Sequence, residues 1–172
     1  MMYAVGLISV VLIASLQVSV APLFPISGAE ADLGLIAILG TAIIAGPRAA
    51  MLVTPALALA IGMAGSRSPG LMLVAYAAIL PLAAFVEDLP YPLGRFPRLV
   101  FVAVFAGMWG RVLLGIAAMA SGGDFAVRAL LFQVLLPGLA FDLVLIAAVF
   151  AAKQAAGIRP RRFTLQRAGW LP

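Results

Sequence analysis

Residues 99–120 read LVFVAVFAGMWGRVLLGIAAMA, an apolar run that carries a single charge, at Arg111, and that decides the fold class. A helix needs ~20 predominantly apolar residues to cross the ~30 Å hydrocarbon core of a bilayer. Inside lipid, backbone N–H and C=O groups must be satisfied within the protein, which an α-helix does for itself. The run therefore predicts a transmembrane α-helix.

Five further apolar stretches accompany this one, and prolines lie inside three of the six. The five stretches cover residues 3–21, 33–45, 49–65, 71–86 and 126–152. Together the six stretches predict an all-α integral membrane protein, a bundle of about six transmembrane helices. The bundle is expected to occupy residues 1–152, and residues 153–172 are expected to form a basic cytoplasmic tail.

The composition leads to the same class. Of the 172 residues, 65% are hydrophobic and only 10% are charged, against roughly 25% charged in an average soluble domain. A soluble enzyme, a disordered tail and a secreted disulfide domain are excluded on this ground. The chain contains neither Cys nor His, which removes thiolate catalysis, the common zinc sites and the usual general base. We predict no catalytic, cofactor or metal site, and no enzyme activity.

The second stretch is short for a span. Thirteen residues of helix rise only ~20 Å, and the stretch stops at Gly46-Pro47-Arg48, from which the third stretch follows directly. Two arrangements stay open: a helix extended back through Asp32, or a re-entrant hairpin formed with the third stretch. Irregular backbone at membrane depth requires cover from protein or water.

The basic residues predict the orientation in the membrane. With six spans and a cytoplasmic N-terminus, eight of them fall on the cytoplasmic side and two, Arg67 and Arg128, on the outer side. Both termini are therefore expected in the cytoplasm. The net charge of +5 is interpreted as a topology and membrane-surface signal, and nucleic acid is not expected as a partner. The tail would anchor at anionic lipid or dock a cytoplasmic partner through Lys153, Arg159, Arg161, Arg162 and Arg167.

Two charges lie near the centres of consecutive spans, Arg111 in the fifth and Asp142 in the sixth. A charge at the bilayer centre costs ~2.5–3.5 kcal/mol on insertion scales, so the two are expected to face inward and pair. The pair would either fix helix register or line a polar pocket or partner contact. Gln133 and Gln17 are the other costly groups, and each is expected to hydrogen-bond another helix.

Small residues recur every four positions on three of the stretches. Such stripes allow helices to approach closely, and internal packing is favoured over a partner interface for any one of them. The stripes are Ala56, Ala60 and Ala64; Ala103, Gly107 and Arg111; and Ala147, Ala151 and Ala155.

The order of these features resembles the MreD family of rod shape-determining membrane proteins. Leu16-Gln17-Val18 is followed by Pro22, and Asp32 opens the apolar run 33–45, which closes at Gly46-Pro47-Arg48. In the sixth stretch, Leu136-Pro137 precedes Asp142, where the family has Asn. The resemblance covers most of the chain.

The resemblance implies a six-helix bundle like the substrate-binding subunits of energy-coupling factor transporters, in the bacterial cytoplasmic (inner) membrane and without catalysis. It implies association with MreC, and through it with RodA, the transpeptidase partner of RodA, and MreB. The function would be a scaffold and regulator of the elongation machinery (the elongasome), which supports peptidoglycan synthesis and rod cell shape. The alternative is a vitamin-binding subunit of an energy-coupling factor transporter. A membrane enzyme acting on lipid substrates is the weakest hypothesis.

Overall fold

The computed structural model describes residues 2–23, 25, 30–65, 67–87, 95–122 and 130–157. Within these residues the fold is all-helical and contains no strand. Most of the predicted basic tail, including Arg159, Arg161, Arg162 and Arg167, lies outside the described residues, as does Arg128.

Seven α-helices and two shorter helical turns make up the described chain. The α-helices are α1 (Met2–Ser19), α2 (Leu33–Ile44), α3 (Pro47–Ala64), α4 (Pro69–Ala77), α5 (Ile79–Glu87), α6 (Arg95–Ala120) and α7 (Leu136–Ala155); a 3₁₀ turn covers Ala21–Leu23, and a π-helical turn, Leu130–Leu135, leads into α7.

Three helical segments in the described chain are long and apolar enough to cross a membrane. They are Gly6–Leu23, Phe96–Ala120 and Leu131–Ala155, and three shorter apolar helices accompany them: Leu33–Ile44, Arg48–Ala64 and Pro69–Ala83. Large apolar side chains also lie exposed on the bundle surface, including Leu52 at 73% and Met63 at 78%. Apolar exposure on this scale is unfavourable in water and favourable in lipid. The chain is therefore a membrane protein.

Prolines explain where the helical segments break. The apolar stretch 71–86 contains Pro81, and the structure divides it at Ala78, between α4 and α5. Pro81 has no N–H to donate to the carbonyl of Ala77, so the regular ladder stops there. Pro137 likewise cannot donate to the carbonyl of Gln133, and the π-helical turn lies immediately before it.

The helices α2 and α3 form an antiparallel hairpin at the predicted Gly46-Pro47-Arg48 turn. Gly46 has a φ of 95°, in the left-handed region that disfavours any residue with a Cβ. Pro47 then opens α3, where its missing N–H costs no helical hydrogen bond. The sequence -Gly-Pro- therefore both ends α2 and starts α3.

The hydrophobic core lies where α2 and α3 meet α1, α4, α6 and α7. Its fully buried side chains include Leu35 and Ile38 from α2, Leu57 from α3 and Ile146 from α7. One charged side chain, Asp142, is buried among them at 1% exposure. Its surroundings identify the candidate site.

Candidate functional site

Arg111 on α6 and Asp142 on α7 form an ion pair inside the bundle. Arg111 Nη2 lies 2.6 Å from Asp142 Oδ2, and the two side chains are 10% and 1% exposed. The structure thus brings together the two central charges that the sequence placed on consecutive spans. At this burial the pair is screened little by water, and each charge depends on the other for compensation.

Asp142 also holds the start of α2. The backbone N–H of Asp32 donates to Asp142 Oδ1 at 2.8 Å. Asp32 is in turn the N-cap of α2, since its Oδ1 accepts from the backbone N–H of Leu35 at 2.9 Å. The same oxygen accepts from Tyr76 Oη, on α4, at 2.7 Å. One aspartate therefore joins α2 to α4 and, through its N–H, to α7.

Gln17, near the end of α1, joins that helix to the same place. Its Nε2 donates to the carbonyl of Ala31 at 3.1 Å, and its Oε1 accepts from the N–H of Leu33 at 2.6 Å. The prediction of a helix–helix hydrogen bond is thus met in a modified form, because the partners are backbone groups around the α2 N-terminus. Of the two, the N–H of Leu33 has no acceptor within the helix itself.

We call Gln17, Asp32, Tyr76, Arg111 and Asp142 the polar cluster. Its members come from α1, the start of α2, α4, α6 and α7, so it connects five segments of the bundle. Among the described residues, every buried side-chain nitrogen and oxygen has a hydrogen-bond partner. The cluster is therefore compatible with a low-dielectric interior, where an unpaired polar atom is costly.

Two glycines allow the cluster to close. A Cβ at Gly138, on α7, would lie 2.6 Å from Arg111 Nε, so only glycine leaves room for the guanidinium against this helix. A Cβ at Gly34 would overlap Tyr76 Oη, which must pass this position to reach Asp32. Both close approaches bring a polar side chain against backbone.

A cavity of about 530 Å³ adjoins the polar cluster. It lies at the end of the bundle where α1 ends, α2 begins, α3 connects to α4, and α6 ends. Its volume falls within the ~300–1,000 Å³ of small-molecule sites. Four of the cluster's side chains line it, together with Glu30, Arg67, Ser68 and Ser121 and apolar residues that include Leu35, Ile61, Met72 and Leu114.

The remaining predicted site residues lie away from the cluster. Gln133 is exposed in the π-helical turn and makes no described hydrogen bond to another helix. The Gly46 turn lies at the opposite end of α2 from Asp32. Lys153 differs from the prediction of a tail residue: α7 continues to Ala155 and Lys153 is 8% exposed within it. A lysine can bury its alkyl stem in this way while its ammonium reaches the helix end.

Tyr76, Gly34 and Gly138 were not among the predicted site residues. A phenol inside an apolar stretch needs a hydrogen-bond partner. The position of Tyr76 in the stretch 71–86 therefore indicates a polar contact. The glycines carry no such signal, because the close approaches that require them depend on how α2 packs on α4 and α6 packs on α7. Asp32 was interpreted only as a favourable acid at a helix start, and that interpretation accounts for the hydrogen bond from Leu35 N but not for those to Tyr76 and Asp142.

Comparison with known proteins adds no relative: no family model, curated protein or solved structure matches this chain. In the part of the chain that the structure describes, no group of three or more acidic residues is placed to hold a metal ion. The site is thus defined by a mutually hydrogen-bonded polar cluster with a cavity beside it. The function is inferred from these features and from the surface of the bundle.

Proposed function

We propose that this protein is a membrane scaffold that binds the transmembrane helix of a partner protein and has no catalytic role. The resemblance to the MreD family supplies the partner and the setting: MreC as the bound single-span protein, with RodA, its transpeptidase partner and MreB reached through the complex. The role would be regulation of peptidoglycan synthesis during cell elongation. The observation that carries the proposal is an exposed face of α7 with alanine at four of its five positions.

This alanine face comprises Ala140, Val144, Ala148, Ala151 and Ala155. All five residues are exposed, and they recur at helical spacing along one side of α7. Helices associate in lipid through close van der Waals packing, because apolar surface alone does not distinguish a protein partner from lipid tails. The four alanines of the face permit that approach on either side of Val144, which is 65% exposed, whereas α1 exposes larger residues such as Leu7 and Ile8.

Of the predicted α7 stripe, Ala151 and Ala155 belong to this face, and Ala147 is half-buried beside it. The predicted stripes on α6 and α3 are less suited to docking. On α6, Ala103 and Gly107 are buried, so that stripe serves internal packing. On α3, Ala56 and Ala64 are exposed, but Leu52 and Met63 project beside them at 73% and 78% exposure. The alanine face of α7 is therefore the docking surface that we propose.

The polar cluster supports a scaffold by fixing the helix that carries this face. Asp142 lies on α7, and its two oxygens engage Arg111 on α6 and the N-terminus of α2. Rotation of α7 about its axis would break both hydrogen bonds. The alanine face is thereby presented in one orientation, which reduces the entropy lost on binding.

For the topology we propose six membrane crossings, with both termini in the cytoplasm of a bacterium. Arg48, Arg98 and Lys153 lie at the ends of α3, α6 and α7 that are opposite the cavity, which places basic residues together at one end of the bundle. A reporter that is active only in the periplasm, fused to Pro172, should give no signal. A strong signal would reverse the orientation.

Bulky substitutions on the alanine face test the docking proposal. Ala148→Leu with Ala151→Leu adds volume without charge and should abolish co-purification with MreC while the protein still inserts. The matched control is Ala56→Leu with Ala64→Leu, which adds the same volume to the exposed stripe of α3 and should leave the complex intact. Retention of MreC by the α7 double variant would contradict the proposed docking surface.

The cavity favours a second candidate, a vitamin-binding subunit of an energy-coupling factor transporter. Such a subunit needs convergent polar groups in a pocket, and the cavity beside the polar cluster provides them. A panel of vitamins added to the purified protein separates the two candidates. Nanomolar affinity for a vitamin, together with failure to bind MreC, would establish the transport role in place of the scaffold.

A further inference from the structure

We propose that the cavity binds a small amphipathic molecule carrying a protonated amine, and that its ammonium group binds the carboxylate of Asp32. The inference does not depend on the scaffold role, since the cavity and the alanine face of α7 are separate features. It rests on the charge balance of the polar cluster, on the unused oxygen of Asp32 and on the composition of the cavity walls.

Asp32 and Arg111 line the floor of the cavity, and Asp142, which does not line it, is buried against Arg111. Together these three side chains carry more negative than positive charge. The guanidinium pairs with Asp142 at 2.6 Å, so the two neutralise each other. Asp32 has no cationic side chain within hydrogen-bond distance among the described residues, and the N–H groups at the start of α2 offset only part of its charge. A cation in the cavity would neutralise the carboxylate of Asp32.

Asp32 also retains hydrogen-bonding capacity on the cavity side. Its Oδ1 accepts from both Leu35 N and Tyr76 Oη. Its Oδ2 accepts no hydrogen bond from the described residues, and the side chain lines the cavity. An ammonium group is a donor that lacks acceptors, and a charge-assisted hydrogen bond to a carboxylate is the stronger kind.

The cavity walls favour an organic cation over a hydrated inorganic one. Leu35, Ile61, Met72 and Leu114 line the cavity next to the polar floor. A ligand with an apolar body covers these side chains while its amine reaches Asp32. At the rim, Glu30 and Arg67 carry opposite charges. The rim therefore adds no net charge to the cavity.

A charge series on the unmodified protein gives the first test. Phenethylamine, 2-phenylethanol and 3-phenylpropionate share a phenyl ring and differ at the head group. Titrated calorimetrically into the purified protein in detergent at pH 7 and constant ionic strength, phenethylamine should bind and raise the thermal unfolding midpoint. The alcohol and the carboxylate should bind at least about tenfold more weakly. Equal or tighter binding of 3-phenylpropionate would overturn the proposal.

A matched pair of variants locates the ammonium. Asp32→Asn removes the charge but retains an oxygen to cap α2 and to accept from Tyr76, and it should raise the Kd for phenethylamine at least about tenfold. Glu30→Gln removes the same charge at the exposed rim and should change the Kd by less than about threefold. Equal losses in the two variants would show a general charge effect and would overturn the assignment to Asp32. If Asp32→Asn does not fold, the charge series still decides the class of ligand.

Discussion

Removing both charges of the Arg111–Asp142 pair should lower the free energy of unfolding by less than the sum of the losses in the two single variants. Arg111→Met leaves the Asp142 carboxylate at 1% exposure with one backbone N–H as its partner. Asp142→Asn leaves the guanidinium 10% exposed without a counter-charge but keeps an oxygen for the N–H of Asp32. Breaking a buried pair from one side costs ~3–5 kcal/mol, because an uncompensated charge stays behind.

The double variant has no uncompensated charge at this position. Its Asn oxygen still accepts from the N–H of Asp32, and Met fills much of the volume of the Arg111 stem. We therefore expect the sum of the two single losses in unfolding free energy to exceed the loss in the double variant by at least about 2 kcal/mol. This difference is within the range found for residues in one network. Unfolding in mixed micelles with increasing sodium dodecyl sulfate, followed by the fluorescence of Trp109 and Trp170, measures these free energies.

Additive losses in this double-mutant cycle would refute the pairing as an energetic interaction. The distance of 2.6 Å between Arg111 Nη2 and Asp142 Oδ2 would then describe proximity without coupling. A control cycle of Arg111→Met with Leu52→Ala should be additive, because Leu52 is exposed on α3 and belongs to no shared network.

Gly138→Ala should destabilise the protein by ~1–3 kcal/mol, since its Cβ would lie 2.6 Å from Arg111 Nε. Gly110→Ala is the control: its Cβ meets nothing within 4 Å, so the same unfolding assay should show unchanged or slightly higher stability. Tyr76→Phe removes the O–H that donates to Asp32 at 2.7 Å and should cost ~1–3 kcal/mol. A loss of less than about 0.5 kcal/mol in the Phe variant would contradict a stabilising hydrogen bond from Tyr76 to Asp32.

The sequence was sufficient for the features that depend on local chemistry. Hydropathy located six apolar stretches, and each contains a helical segment of the structure. The -Gly-Pro- turn was predictable because Gly46 and Pro47 each restrict the backbone on their own. The pairing of Arg111 with Asp142 followed from the cost of two charges at membrane depth.

The remaining features depend on contacts that a single stretch does not encode. The break at Ala78, between α4 and α5, follows from Pro81 only once the helical hydrogen-bond pattern is known. The hydrogen bond of Asp32 to Asp142 joins residues 110 apart in the chain, and no spacing rule predicts it. The cavity also requires the packing of α4 against α6. Sequence reasoning therefore identified the charges of the site but neither the cavity nor Tyr76.

The wide separation of the cluster's members along the chain has a consequence for biogenesis. Synthesis at ~5–20 residues per second takes about 5–20 s to cover the 110 residues between Asp32 and Asp142. During this interval the start of α2 lacks its partner on α7, and for the last 31 residues of it Arg111 also precedes its counter-charge. The insertion machinery or a water-filled passage must shelter these groups until the last helix arrives. A nascent chain that stalls before Asp142 retains an arginine without the counter-charge that it has in the folded protein.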